Sequence, residues 1–237
     1  MRAIRRSRRH PAITQFDYLH LRALIEGLRA AIAELPAPVE DVLDVWCGSR
    51  PYDDLLPAGT RCVGLDVDGN PYGIADVVSD DFLPFPDGAF DLVMCIQAFQ
   101  YMDDADDAVA KIARVLRPGG SVLVSSVLGF EYDRRHFEAR YTEHQLRMLF
   151  DGWEDVRVRE DGGRTATWTV LTGSLVNGLE QRVATRGARR GLRPAFLAAY
   201  ALVNTAGRLL GNLESAERRT SAFPMNLTLT ARKRPRV

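Results

Sequence analysis

The sequence of 237 residues is nearly without lysine. Lys111 and Lys233 are the only two, so its positive charge is carried almost entirely by arginine. Basic and acidic residues balance at 31 each, which leaves no global field favouring nucleic acid or a membrane. No stretch reaches the ~20 apolar residues of a spanning helix. The basic start, Arg2 to His10, is followed by no apolar leader core, so a cytoplasmic protein is expected. Cysteine is scarce too. Cys47, Cys62 and Cys95 lack metal-ligand spacing and read as buried free thiols, with no metal site expected. A Gly-x-Gly-x-x-Gly run is absent, which sets aside a dinucleotide fold that cradles a pyrophosphate. No basic stripe is interleaved with stacking aromatics, so nucleic acid is not an expected partner.

What is present is organised around residues 42–52, Val-Leu-Asp-Val-Trp-Cys-Gly-Ser-Arg-Pro-Tyr. Val42, Leu43 and Val45 form a run too short for a helix and β-branched, hence a buried strand. It breaks at Cys47-Gly48-Ser49, and Pro51 suits the first turn of a following helix. A strand, a glycine turn and a helix start would present backbone N–H groups to an anionic group.

Residues 1–11 carry Arg2, Arg5, Arg6, Arg8 and Arg9 and read as a solvated arm, with anion binding as the sharper alternative. Leu24, Ile25, Leu28, Ala31 and Ile32 make an amphipathic helix stopped by Pro36 and Pro38. Further strands are expected at Cys62–Asp66, Val77–Val78, Phe90–Ile96 and Ser121–Val127, with a helix at 105–116 closed by Pro118-Gly119-Gly120. Strands alternating with helices imply a parallel sheet covered on both faces, binding ligands beyond the carboxyl ends of its strands. Thr142 and Gln145 form a capping box for a short helix. Residues 153–160 and 225–232 alternate as late strands. A helical region about 174–213 lies between them, within an insertion of about 162–223. The chain divides into residues 1–38, an arm and helix, and residues 39–237, one α/β domain.

Four ordered pieces resemble the class I S-adenosylmethionine-dependent methyltransferases, in the branch whose first loop reads Cys47-Gly48-Ser49-Arg50-Pro51-Tyr52. The others are Val63-Gly64-Leu65-Asp66-Val67-Asp68, Leu83-Pro84-Phe85-Pro86-Asp87-Gly88 with Ala89–Val93, and Arg114-Val115-Leu116-Arg117-Pro118-Gly119-Gly120. The resemblance implies a Rossmann-like fold with a mostly parallel seven-stranded sheet, helices on both faces and an antiparallel edge. It implies S-adenosyl-L-methionine as cofactor. Asp66, followed by Val67, would accept the ribose hydroxyls. Asp44 and Gly48 would shape the loop at the amino-acid end. Asp80 or Asp81 would meet the adenine amino group beside Phe82, and Ile96 would line the crevice. Two departures stand out: Trp46 occupies the place of the first loop glycine, and Gln100-Tyr101 replaces a Glu-His pair.

Methyl transfer to a hydroxyl also needs a base, and a histidine titrates in the right range. His136 follows the fifth strand and is the candidate, with Tyr101, Glu131 and Asp133 as orienting groups; His144 reads as structural. The expected activity is methylation of a small-molecule acceptor, O-methylation of a sugar, lipid-linked or secondary-metabolite hydroxyl. The alternatives are carbon methylation of a quinone-like lipid and a catalytically inactive binding protein that keeps the cofactor fold. The helical insertion reads as a packed helix pair with a solvated basic loop. Its sharper readings are a cover over an amphiphilic acceptor and contact with an anionic membrane. Nothing in the sequence specifies the acceptor or the oligomeric state.

Overall fold

The structure, a computed structural model, describes residues 2–36, 38–131, 136–185, 189–214 and 223–235. Seven strands form one sheet: β1 (Asp41–Val45), β2 (Arg61–Asp66), β3 (Val77–Val78), β4 (Phe90–Ile96), β5 (Leu116–Val127), β6 (Glu154–Asp161) and β7 (Asn226–Arg232). Their order is β3-β2-β1-β4-β5-β7-β6. The pairs β1–β2, β1–β4, β2–β3 and β4–β5 are parallel, whereas β7 runs antiparallel to both β5 and β6. The winding direction therefore switches between β1 and β4, where a ligand crevice belongs in such sheets. The antiparallel edge at β7 agrees with the architecture expected from the sequence.

The helices are α1 (Arg2–Arg9), α2 (Tyr18–Ala33), α3 (Ala105–Val115), α4 (Glu143–Leu149), α5 (Arg164–Thr185) and α6 (Arg189–Leu213). Strand alternation divides the core in two. Leu92, Met94 and Ile96 of β4 pack with Val42 and Leu123 beneath Leu24, Ile25 and Leu28 of α2. Val93 and Cys95 face the other way, with Leu43, Val45, Ile112, Phe99 and Phe150. Each fully buried Leu, Val or Phe contributes about 1.5–3 kcal/mol by area burial, so these two layers hold the strand tips in register.

Three expectations change. The basic arm is the helix α1, docked by Arg5 and Arg9 onto the loop after β1, because Asp53 and Asp54 there offer carboxylates. Pro51 starts no α-helix: the chain makes only a 3-10 turn over Asp53–Leu55. The Pro118-Gly119-Gly120 segment lies within β5 as a bulge between the pairs Phe90–Leu116 and Leu92–Ser121. Gly119 N–H donates to the Lys233 carbonyl there, and Lys233 N–H to that of Gly120. The helical insertion is present as the antiparallel pair α5 and α6, beginning ten residues earlier than the periodicity indicates.

Candidate active site

The loop after β1 turns through left-handed backbone at Trp46, Gly48 and Arg50, with φ of 50°, 54° and 49°. Trp46 thus holds a backbone conformation that glycine adopts freely, at a cost on the order of 1–2 kcal/mol. Its half-buried indole packs on the core and meets Phe82 edge-on, with centroids 6.0 Å apart. The ring stands beside Phe82.

Asp66 ends β2 and is 6% exposed. Its Oδ2 accepts from Gly48 N–H at 2.8 Å and from Asn70 Nδ2 at 2.5 Å, and its Oδ1 from Val67 N–H at 2.9 Å. The same Asn70 amide donates to the Gly48 carbonyl at 3.2 Å. One carboxylate therefore joins the tip of β2 to the first loop, with Asn70 as a clasp. Gly64 permits the approach: a Cβ there would stand 2.9 Å from Cys47 Sγ and 3.1 Å from Arg50 Cδ.

Arg50 fastens the same loop from below. Its Nη1 donates to Asp76 at 2.5 Å, its Nε to Asp53 at 3.0 Å and its Nη2 to the Cys62 carbonyl at 2.7 Å. Asp76 Oδ2 also accepts from Gly64 N–H at 2.8 Å. From α1, Arg5 Nε reaches the Ser49 carbonyl at 2.9 Å and Nη2 reaches Asp53 at 3.2 Å.

Asp44 is different. It is 3% exposed and has no ion-pair partner among the described residues. Burial, then the charge of Asp53, pushes its carboxyl up to about 8 against the pull of Arg50. A cation arriving beside it would restore its charge.

The remaining expected site residues are arranged less tightly. Val67 is partly exposed beside Asp66, and Ile96 is buried at the tip of β4. Asp80 and Asp81 are both exposed next to half-buried Phe82. Tyr101 is 38% exposed in the turn after β4. His136 is exposed in the segment after β5. That segment is tied to the Tyr101 turn by Ala139 N–H, which donates to the Gln100 carbonyl at 2.7 Å. Glu131 accepts from Ser174 of α5 at 2.7 Å. Asp133 lies outside the described residues, and His144 is exposed on α4. Cys47 and Cys95 are buried and Cys62 partly so, all as free thiols.

Several groups at this edge escaped the sequence reading. Asn70 and Asp76 have local signals, a Gly-Asn-Pro turn four residues after an acid and an acid before a strand, but neither signal names a partner. Gln97, with φ 57°, donates to Ser125 Oγ at 2.9 Å and to Asn226 Oδ1 at 3.4 Å, linking β4, β5 and β7. A cleft of about 700 Å³ opens farther along, between α2, α6 and the end of β6, with buried Asp161 in its lining.

Residues 43–124 match the family model described as a methyltransferase domain. Over those residues the chain is similar to the class I methyltransferases. Over 120 residues it is 32% identical to a malonyl-(acyl-carrier protein) O-methyltransferase of Methylococcus capsulatus, covering 44% of this chain and 44% of that protein. Over 189 residues it is 28% identical to a 2-methyl-6-phytyl-1,4-hydroquinone methyltransferase of Synechocystis, covering 67% and 57%. The chain spans about half the length of these curated relatives. The crystal structure of the cyclase SpnF superposes with a TM-score of 0.56 at 21% identity, covering 92% of this chain and 84% of that one. That likeness establishes the fold, which is Rossmann-like and of the class I methyltransferase type.

Proposed function

We propose that this chain is an S-adenosyl-L-methionine-dependent methyltransferase acting on a small-molecule acceptor, with the hydroxyl of a sugar, lipid-linked compound or secondary metabolite as the methylated group. One observation carries the reading: Asp66 sits at the tip of β2 with its carboxylate turned onto Gly48 of the first loop. The residues fit the cofactor with one exchange. Asp66 would hold the ribose hydroxyls once Asn70 withdraws its amide, and the uncompensated Asp44 carboxyl suits the cationic amino-acid end. Phe82 and one of Asp80 and Asp81 would meet the adenine, with Val67 and Ile96 along the crevice.

The bound cofactor supplies an activated sulfonium methyl. What the chain supplies is alignment and a dry site, and such positioning contributes on the order of 7–11 kcal/mol. The imidazole of His136 would take the proton of the acceptor hydroxyl, and Tyr101 would orient that hydroxyl. The tie between their segments through Ala139 and Gln100 supports this pairing.

The second reading is a binding protein that keeps the fold without catalysis. The clasp of Asn70 on Asp66 favours it, because the ribose acceptor is already engaged. Calorimetric titration with S-adenosyl-L-methionine and its demethylated product tests both. Micromolar binding of either, weakened by Asp66→Ala, supports the enzyme; no heat with either ligand overturns it.

A further inference from the structure

The cleft between α2, α6 and the end of β6, about 700 Å³, is built around one carboxyl. Asp161 is 3% exposed. Its Oδ2 accepts from the Thr228 hydroxyl, and its Oδ1 has no donor among the described residues. Oδ1 lies against Gly27 of α2, where a Cβ would collide with it, and both residues line the cleft. The helix thus carries a glycine where it crosses the acid, at a cost of about 1 kcal/mol against alanine. Asp161→Asn would still leave Thr228 an acceptor and would remove an acid from a buried place. Neither hydrogen bonding nor packing therefore accounts for a carboxyl here, and an uncompensated acid in a cleft points to a ligand.

The neighbouring charges say which ligand. Arg22 is taken by Glu26 at 2.7 Å, Arg159 by Glu34 at 2.8 Å, and Glu214 by Arg164 at 3.8 Å. Three lining groups have no ion-pair partner among the described residues: Asp161 and Glu160 at the end of β6, and Arg208 on α6, whose Nη1 donates to the Tyr18 hydroxyl at 3.5 Å. The cleft thus offers acids from one wall and a guanidinium from another. The described residues hold no cluster of acids, histidines or cysteines able to take a metal ion, so the complementary cation is an organic ammonium. The volume lies within the range of small-molecule sites, about 300–1,000 Å³.

We infer that this cleft binds a small zwitterion, its ammonium group donating to Asp161 beside Glu160 and its acidic group accepting from Arg208. No residue assigned to the cofactor lines the cleft, and neither do His136 and Tyr101. The inference stands apart from the methyl-transfer reading.

The test is saturation-transfer NMR on the full chain with γ-aminobutyrate, butylamine and butyrate, which share a carbon chain and differ in their charged ends. Saturable binding of γ-aminobutyrate is expected, severalfold tighter than butylamine, with butyrate weakest. Asp161→Asn should weaken both amines about tenfold or more, the loss of a charge-assisted hydrogen bond, while its S-adenosyl-L-methionine titration is unchanged. Arg208→Gln, at an exposed position, should remove the preference for γ-aminobutyrate over butylamine. That variant decides the matter if Asp161→Asn fails to fold: a retained preference overturns the inference. It is overturned equally if neither amine binds saturably, or if a folded Asp161→Asn binds both as the parent does. Butyrate binding as tightly as γ-aminobutyrate also overturns it and makes this an anion site.

Discussion

Asn70 Nδ2 lies 2.5 Å from Asp66 Oδ2 and closes the carboxylate that the methyltransferase reading assigns to ribose. A ligand hydroxyl and this amide compete for one acceptor. Asn70→Ala should therefore tighten S-adenosyl-L-methionine binding severalfold, whereas Asp66→Ala should weaken it by tenfold or more, since a charge-assisted hydrogen bond contributes about 1.5–3 kcal/mol. Calorimetry on both variants checks this. Equal affinities in the parent and Asn70→Ala would show that the clasp does not compete.

Arg50 presents a different dependence. Its guanidinium serves Asp53, Asp76 and the Cys62 carbonyl, and no lysine can reproduce that fork. Asp76 is half exposed, which discounts that pair. Arg50→Lys is expected to cost about 1–3 kcal/mol, read as a lower urea midpoint with an unchanged slope. Loss of cofactor binding should accompany it, because the left-handed turn at residue 50 shapes the first loop.

Stability should fall as pH rises from about 4 to 8. Asp44 and Asp161 are raised by burial to about 8 and about 7, Asp161 despite the hydroxyl donated by Thr228. In the unfolded chain both ionise near the ordinary value of about 4. Between those limits the folded state holds more protons than the unfolded one, so each rise in pH favours unfolding. His20, pushed down to about 4 by burial, acts on the acid side: below about 6.5 the unfolded chain gains a proton that the folded chain resists. Asp161→Asn keeps an acceptor for Thr228 and removes one titration. Its stability relative to the parent should improve by on the order of 1–3 kcal/mol from pH 5 to pH 8, measured by urea unfolding across that range. A constant difference at all pH values would contradict a near-neutral carboxyl at 161.

For the proton step, His136→Ala should lower turnover at saturating cofactor by roughly 10²-fold or more while cofactor affinity holds. An unchanged rate removes His136 from the mechanism and leaves its segment a structural role.

Much of this molecule was legible in one dimension. The strands at 61–66, 77–78 and 90–96 and the capped helix after Thr142 follow from local rules: apolar runs of strand length, and Thr142 paired reciprocally with Gln145. The order of four motif pieces carried the fold class, because each is a short segment whose residues act on their own neighbours. The arm and the loop after β1 were not so legible. Arg5 reads as a solvated charge until Ser49 and Asp53, 44 and 48 positions away, are brought against it. Pro51 reads as a helix start until Arg50 takes three acceptors and bends the chain another way.

What the sequence determined by itself was which segments form strands, where they turn, and that an acid closes β2. What only the tertiary structure decided was the company those residues keep: Asn70 on Asp66, no ion-pair partner for Asp44 among the described residues, Trp46 against Phe82, and rows of leucine left bare on α5 and α6. The physical reason is range. Strand and helix preferences are settled within a few residues, whereas a buried charge or an open apolar face depends on groups that only packing brings near.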